Sequence, residues 1–148
     1  MSALTPGEPL AIVAIGPWRM LLPLRFIERV LQAAMPVALP SGDGEAAAMV
    51  RLENALVPVV FGAGLLGAED VALSTEAKMV LLKGEAGRAI FWVDAVEDVV
   101  PYQPFEGEVP LPGFIRDWVQ GFSEGYPALA VVNAEALIRA SLAPGVHA

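Results

Sequence analysis

Lys78-Met79-Val80-Leu81-Leu82-Lys83-Gly84-Glu85-Ala86-Gly87-Arg88-Ala89-Ile90-Phe91-Trp92-Val93 has the pattern of a buried β-hairpin. Two short runs of β-branched, leucyl and aromatic side chains flank a Gly-Glu-Ala-Gly turn, where glycine supplies the backbone freedom that a tight reversal needs. Neither run alternates apolar with polar residues, so both faces of the pair are expected to be covered. The same rhythm holds on either side of it. Apolar stretches stay short and are punctuated by Gly or Pro, whereas a helical bundle would need longer segments of 3.6-residue period.

Upstream, Leu10 to Ile15, the turn Gly16-Pro17 and Trp18 to Leu22 form a first hairpin ended by Pro23. Leu24 to Phe26 is a short turn, and Ile27-Glu28-Arg29-Val30-Leu31 is a strand. Met35 to Gly44 is expected to be a loop because of its prolines and glycines. Met49 to Glu53 and Leu56 to Phe61, with a turn near Asn54-Ala55, form a second hairpin with Pro58 at an edge or bulge. Residues 62–76 form a connector. Downstream, Asp94 to Val100 is a turn and strand, Pro101 to Pro112 a proline-rich loop, and Ile115 to Phe122 pairs with Pro127 to Val132. The last element is a helix from Ala134 to about Ser141, capped by Asn133, with Ala134, Leu137 and Ile138 on one face and Pro144-Gly145 stopping it.

The chain has 148 residues, 55% of them hydrophobic and 18% charged, which suits one well-buried domain. We expect an N-terminal tail over 1–8, a single domain of two lobes over 9–140 joined around 62–76, and a C-terminal tail over 141–148. Mean hydropathy is high at +0.57, yet the long uncharged run Asn54 to Ala68 is broken by Pro58, Gly62, Gly64 and Gly67, so no bilayer-spanning helix is expected. The N-terminus has no basic stretch leading into an apolar run, and a cytoplasmic location is expected. A net charge of −8 with scattered basic residues argues against nucleic acid and anionic membranes as partners. Without cysteine, and with His147 as the only histidine, most catalytic and metal-binding constellations are excluded by inventory; no catalytic residue, cofactor or metal site is expected.

Several segments, in order, resemble the CheW family, adaptors that join chemoreceptors to the CheA histidine kinase. They are Leu22-Pro23-Leu24, Ile27 to Leu31, Leu56-Val57-Pro58-Val59-Val60, Phe91-Trp92-Val93-Asp94-Ala95-Val96-Glu97-Asp98-Val99, and Leu129 to Ile138. The resemblance spans about residues 9–140. It implies an all-β fold of two packed, five-stranded SH3-like β-barrels with a groove between them and a short C-terminal helix. It also implies a non-enzymatic adaptor, associated with receptor arrays, that binds the regulatory domain of a CheA-like kinase and the cytoplasmic tip of a chemoreceptor.

The departures fall where the family binds its partners. The family's Gly-x-x-Asn-Leu-Arg-Gly stands here as Ala48-Met49-Val50-Arg51-Leu52-Glu53-Asn54, with Glu53 in place of arginine, and the acidic residue expected in the strand after Leu22-Pro23-Leu24 falls on Arg29. Both charges are reversed, which suggests that two facing residues have been exchanged as a pair. The candidate partner-binding residues are Ile27, Arg29, Arg51, Glu53, Asn54 and Val96. One rival reading is a CheW-like scaffold that no longer binds receptors and serves another signalling or polarity complex. Another is a small β-barrel enzyme or ligand-binding protein using Asp94, Glu97 and Asp98, although turn-capping and a solvated edge explain those carboxylates more simply. Gly62-Ala63-Gly64-Leu65-Leu66-Gly67 nearly fits a dinucleotide fingerprint but lacks the strand and helix alternation that such a site needs. Tyr102-Gln103-Pro104-Phe105 is either a lid over the core or a partner contact.

Overall fold

The structure, a computed structural model, describes residues 3–34, 37–40, 46–62, 76–107, 109–111, 113–125 and 128–142. Among the described residues, eleven strands form two sheets. The strands are β1 (Pro9–Ile15), β2 (Trp18–Pro23), β3 (Ile27–Gln32), β4 (Val37–Pro40), β5 (Ala46–Leu52), β6 (Ala55–Phe61), β7 (Lys78–Gly84), β8 (Gly87–Val93), β9 (Ala95–Pro101), β10 (Val119–Ser123) and β11 (Leu129–Val132). A 3₁₀ turn covers Leu24–Phe26, and two helices, α1 (Gly113–Arg116) and α2 (Ala134–Leu142), complete the described chain. The first sheet runs β10-β11-β2-β1-β9, and the second runs β3-β7-β8-β6-β5-β4.

The β7–β8 hairpin is the reason for this arrangement. Met79 to Leu82 and Ala89 to Val93 are all buried, as their uninterrupted apolar character requires. Because strand side chains alternate in direction, each arm feeds two cores. Met79, Leu81, Ile90 and Trp92 join Val50 and Val57 inside the second sheet. Val80, Leu82, Ala89, Phe91 and Val93 point the other way, to meet Val13 and Ile15 of β1, Met20 and Leu22 of β2, and Ala134, Leu137 and Ile138 of α2. A smaller cluster of Leu10, Leu21 and Val131 fills the first sheet.

The helix reading holds at its start: Asn133 Oδ1 accepts the Ala136 N–H at 3.1 Å, and Ala134, Leu137 and Ile138 are buried. Its expected stop at Pro144-Gly145, most of the 62–76 connector and His147 lie outside the described residues.

Four local readings need correction. The loop expected over 35–44 contains β4, paired with β5 from Val37↔Met49 to Pro40↔Ala46; as the outermost strand it has a free edge, which is where proline's missing N–H is tolerated. Ile115 does not begin a strand. Gly113–Arg116 is one helical turn, and the strand starts at Val119. The turn after β5 is Glu53-Asn54, closed by the pair Leu52↔Ala55. Pro58 is neither at an edge nor in a bulge. It is the last residue of β6 to pair with β5, opposite Met49, and from Val59 onward β6 pairs in parallel with β8. The residue without an N–H therefore stands where the strand changes partners.

Candidate partner-binding site

β3 is an edge strand, and its pairing with β7 slips between Ile27 and Arg29, opposite Leu82 and Leu81. The irregularity leaves Glu28 as an extra residue, and such a kink re-aims the side chains around it. Glu28 Oε2 accepts a hydrogen bond from Arg88 Nη2 at 2.9 Å and lies 4.0 Å from Arg29 Nε. Arg29 Nη2 in turn lies 3.4 Å from Glu53 Oε1. The result is a chain of alternating charges, Arg88, Glu28, Arg29 and Glu53, tying β8, β3 and the β5–β6 turn together at the surface. The opposite-polarity contact expected from the two reversed charges is thus present.

The pair is open to water: the Arg29 side chain is 44% exposed and that of Glu53 74%. At such exposure an ion pair contributes about 0–1 kcal/mol, so the charge pattern matters more than the stability it lends. Glu53 is also the one non-glycine among the described residues with positive φ, at 56°. The left-handed conformation costs an L-residue about 1–2 kcal/mol. Asn54 beside it would carry that conformation more easily, yet the turn places it on Glu53.

Around this pair, Asn54 completes the turn, and Arg51, exposed, lies two positions before Glu53 on β5 opposite Leu56. Leu56 is itself 50% exposed and Val30 on β3 45%, so apolar surface accompanies the charges. Ile27 is partly buried against the core between the sheets. Val96 stands on β9 of the other sheet, opposite Val13, and packs on that same core. Arg29, Glu53 and Asn54 are therefore brought together, with Arg51 adjoining, while Ile27 and Val96 are related through the core beneath them. Sequence reasoning missed Arg88 as a member of the charge chain, because it reaches Glu28 only through the β3–β7–β8 pairing.

The carboxylates of the Asp94 region have structural tasks. Asp94 Oδ2 accepts the Gly16 N–H, and the Asp94 N–H donates to Ala14 O at 2.8 Å, so this residue clips β9 to the β1–β2 turn. Glu97 pairs with Arg19 at 2.6 Å, and Asp98 accepts the Val99 N–H at 2.8 Å. The Tyr102 stretch behaves as a lid: Tyr102 packs on the first-sheet core, its backbone exchanges hydrogen bonds with Gly7 and Glu8, and Pro104 bridges to Ser123. Among the described residues no cluster of His, Asp or Glu could hold a metal ion, and no helix is long and apolar enough to cross a membrane.

The family model of the CheW-like domain matches residues 10–141. The chain belongs to the CheW-like family. Among solved structures, the scaffolding protein TtCheW from Thermoanaerobacter tengcongensis is similar, with a TM-score of 0.69 and 14% identity over 86% of this chain and 89% of that one. At this identity the likeness is one of fold. No protein of curated function matches the chain in sequence.

Proposed function

We propose that the protein is a non-enzymatic adaptor of a bacterial chemosensory system. It couples a CheA-type histidine kinase to chemoreceptors by protein–protein contacts. The family match over residues 10–141 carries this reading. In it, the exposed surface around Arg29, Arg51, Glu53 and Asn54 selects the partner, with Ile27 and Val96 at the margin of the apolar ground between the sheets. Charges on a rim suit that task, since they steer and discriminate more than they bind. The reversed polarity of Arg29 and Glu53 supports a receptor tip, or an equivalent helical partner, whose own charges are exchanged to match.

The test is a pull-down from native extract with the purified protein as bait, comparing wild type, Glu53→Arg and the double exchange Arg29→Glu with Glu53→Arg. Recovery of a CheA-like kinase with a chemoreceptor, weakened by Glu53→Arg, is the expected result. Recovery of the kinase alone, or of proteins outside any chemosensory array, would replace it with the second reading, a CheW-like scaffold serving another complex. If the double exchange fails to form its ion pair in a double-mutant cycle, pairing is not what the two positions are kept for.

A further inference from the structure

Arg29 has two acids within reach, and only charge decides between them. Glu135 on α2 shows the contrast: this acid, 7% exposed, is seated by the backbone, its Oε1 accepting the Glu85 N–H at 2.7 Å in the room left by Gly84. Arg29 has no such seat. Its Nε lies 4.0 Å from Oε2 of Glu28, the adjoining residue, and its Nη2 lies 3.4 Å from Oε1 of Glu53, 24 residues further on. Exposure favours Glu28, whose side chain is 26% exposed against 74% for that of Glu53, so water and salt screen its charge less. Left to themselves, Arg29 and Glu28 would pair and Glu53 would stand alone. The structure has the closer contact at Glu53 instead.

The difference is Arg88. From β8, across β7, its Nη2 donates to Glu28 Oε2 at 2.9 Å, the same oxygen that Arg29 approaches only to 4.0 Å. A charge-assisted bond of that length satisfies the oxygen, and it brings a second guanidinium to the side of Arg29, which repels it. Arg29 is thereby turned outward from β3, and its Nη end spans to the β5–β6 turn. Without Arg88, Glu28 would regain Arg29, and the surface would present a bare Glu53 to whatever docks on it.

We propose that Arg88 is a positioning residue for the partner-selecting surface: by occupying Glu28 it frees Arg29 to face Glu53, and so sets which charges a partner meets. This rests on the reading of that surface as the one that selects the partner. A double-mutant cycle of Arg29→Gln and Glu53→Gln, by urea denaturation of the full chain at low ionic strength, tests the positioning without any partner. Coupling is expected in the wild-type background. It should be lost with Arg88→Met, which keeps the apolar stem and removes the charge, and kept with Arg88→Lys. Removing the competitor too, with Glu28→Gln added to Arg88→Met, should restore it, a rescue that a residue supporting only the fold would not give. Coupling that survives Arg88→Met, that fails to return with Glu28→Gln, or that is absent from wild type overturns the proposal. In the pull-down, Arg88→Met should lower recovery of the chemoreceptor as far as Arg29→Gln does, with Glu28→Gln restoring it; equal recovery by all variants overturns the selective role. Wild type that recovers no chemoreceptor refutes the functional reading and the selective role with it, while the coupling pattern still decides whether Arg88 positions Arg29.

Discussion

The β7–β8 hairpin and the β3 edge with its neighbouring turn use the same sheet for opposite ends. In the hairpin every side chain from Met79 to Leu82 is buried and contributes to one of two cores, so sequence and stability are locked together. At the edge, Arg29 and Glu53 are exposed, their bond contributes little, and Glu53 holds a conformation that an L-residue resists. The first region varies only at a cost in stability; the second can be rewritten, charge for charge, while the fold is kept. That is why reversed signature charges and an intact fold coexist in one chain.

The contrast can be broken, starting with the largest effect. Phe91→Ala removes a fully buried ring from the core between the sheets and should cost about 3–5 kcal/mol in urea denaturation. A cost under 1 kcal/mol would mean that the two sheets do not depend on this core. Gly84→Ala forces a methyl group against the seated Glu135 carboxylate and should cost about 1–3 kcal/mol by the same measurement. Asn133→Ala removes the acceptor for the Ala136 N–H and should lower stability by about 1 kcal/mol. Glu53→Gly should act in the reverse direction, raising stability by about 0.5 kcal/mol as the left-handed residue loses its Cβ, while pull-down of the partner weakens. The smallest term is the Arg29–Glu53 coupling, about 0–1 kcal/mol in a double-mutant cycle and diminishing with added salt.

The same contrast separates what could be read from the sequence from what could not. The β7–β8 hairpin was legible because both faces are apolar, and α2 because Asn133 precedes a clear 3.6-residue face. The β4 strand was hidden by Pro36, Pro40 and Gly42, whose turn signal outweighs Val37-Ala38-Leu39 unless β5 is known to lie alongside. The helical turn at Gly113–Arg116 is too short to show a period. The Arg29–Glu53 contact could be anticipated only because two departures from a family pattern had opposite signs. Nothing nearby in sequence marks Glu135 as buried, since the residue that makes room for it, Gly84, arrives from another strand.

The order of strands also bears on how the chain assembles as it leaves the ribosome. The first sheet takes β1 and β2 from residues 9–23 and β9, β10 and β11 from residues 95–132, while all the strands of the second sheet come from the interval between them. The second sheet is complete once Val93 has emerged, whereas the β1–β2 hairpin, made first, has to wait for the last third of the chain. During that interval Val13, Ile15, Met20 and Leu22 have the face of the newly formed β7–β8 hairpin to rest on, together with Phe26, Ile27 and Val60. The doubly buried hairpin is thus both the centre of the finished molecule and the surface that shelters its earliest strands during synthesis.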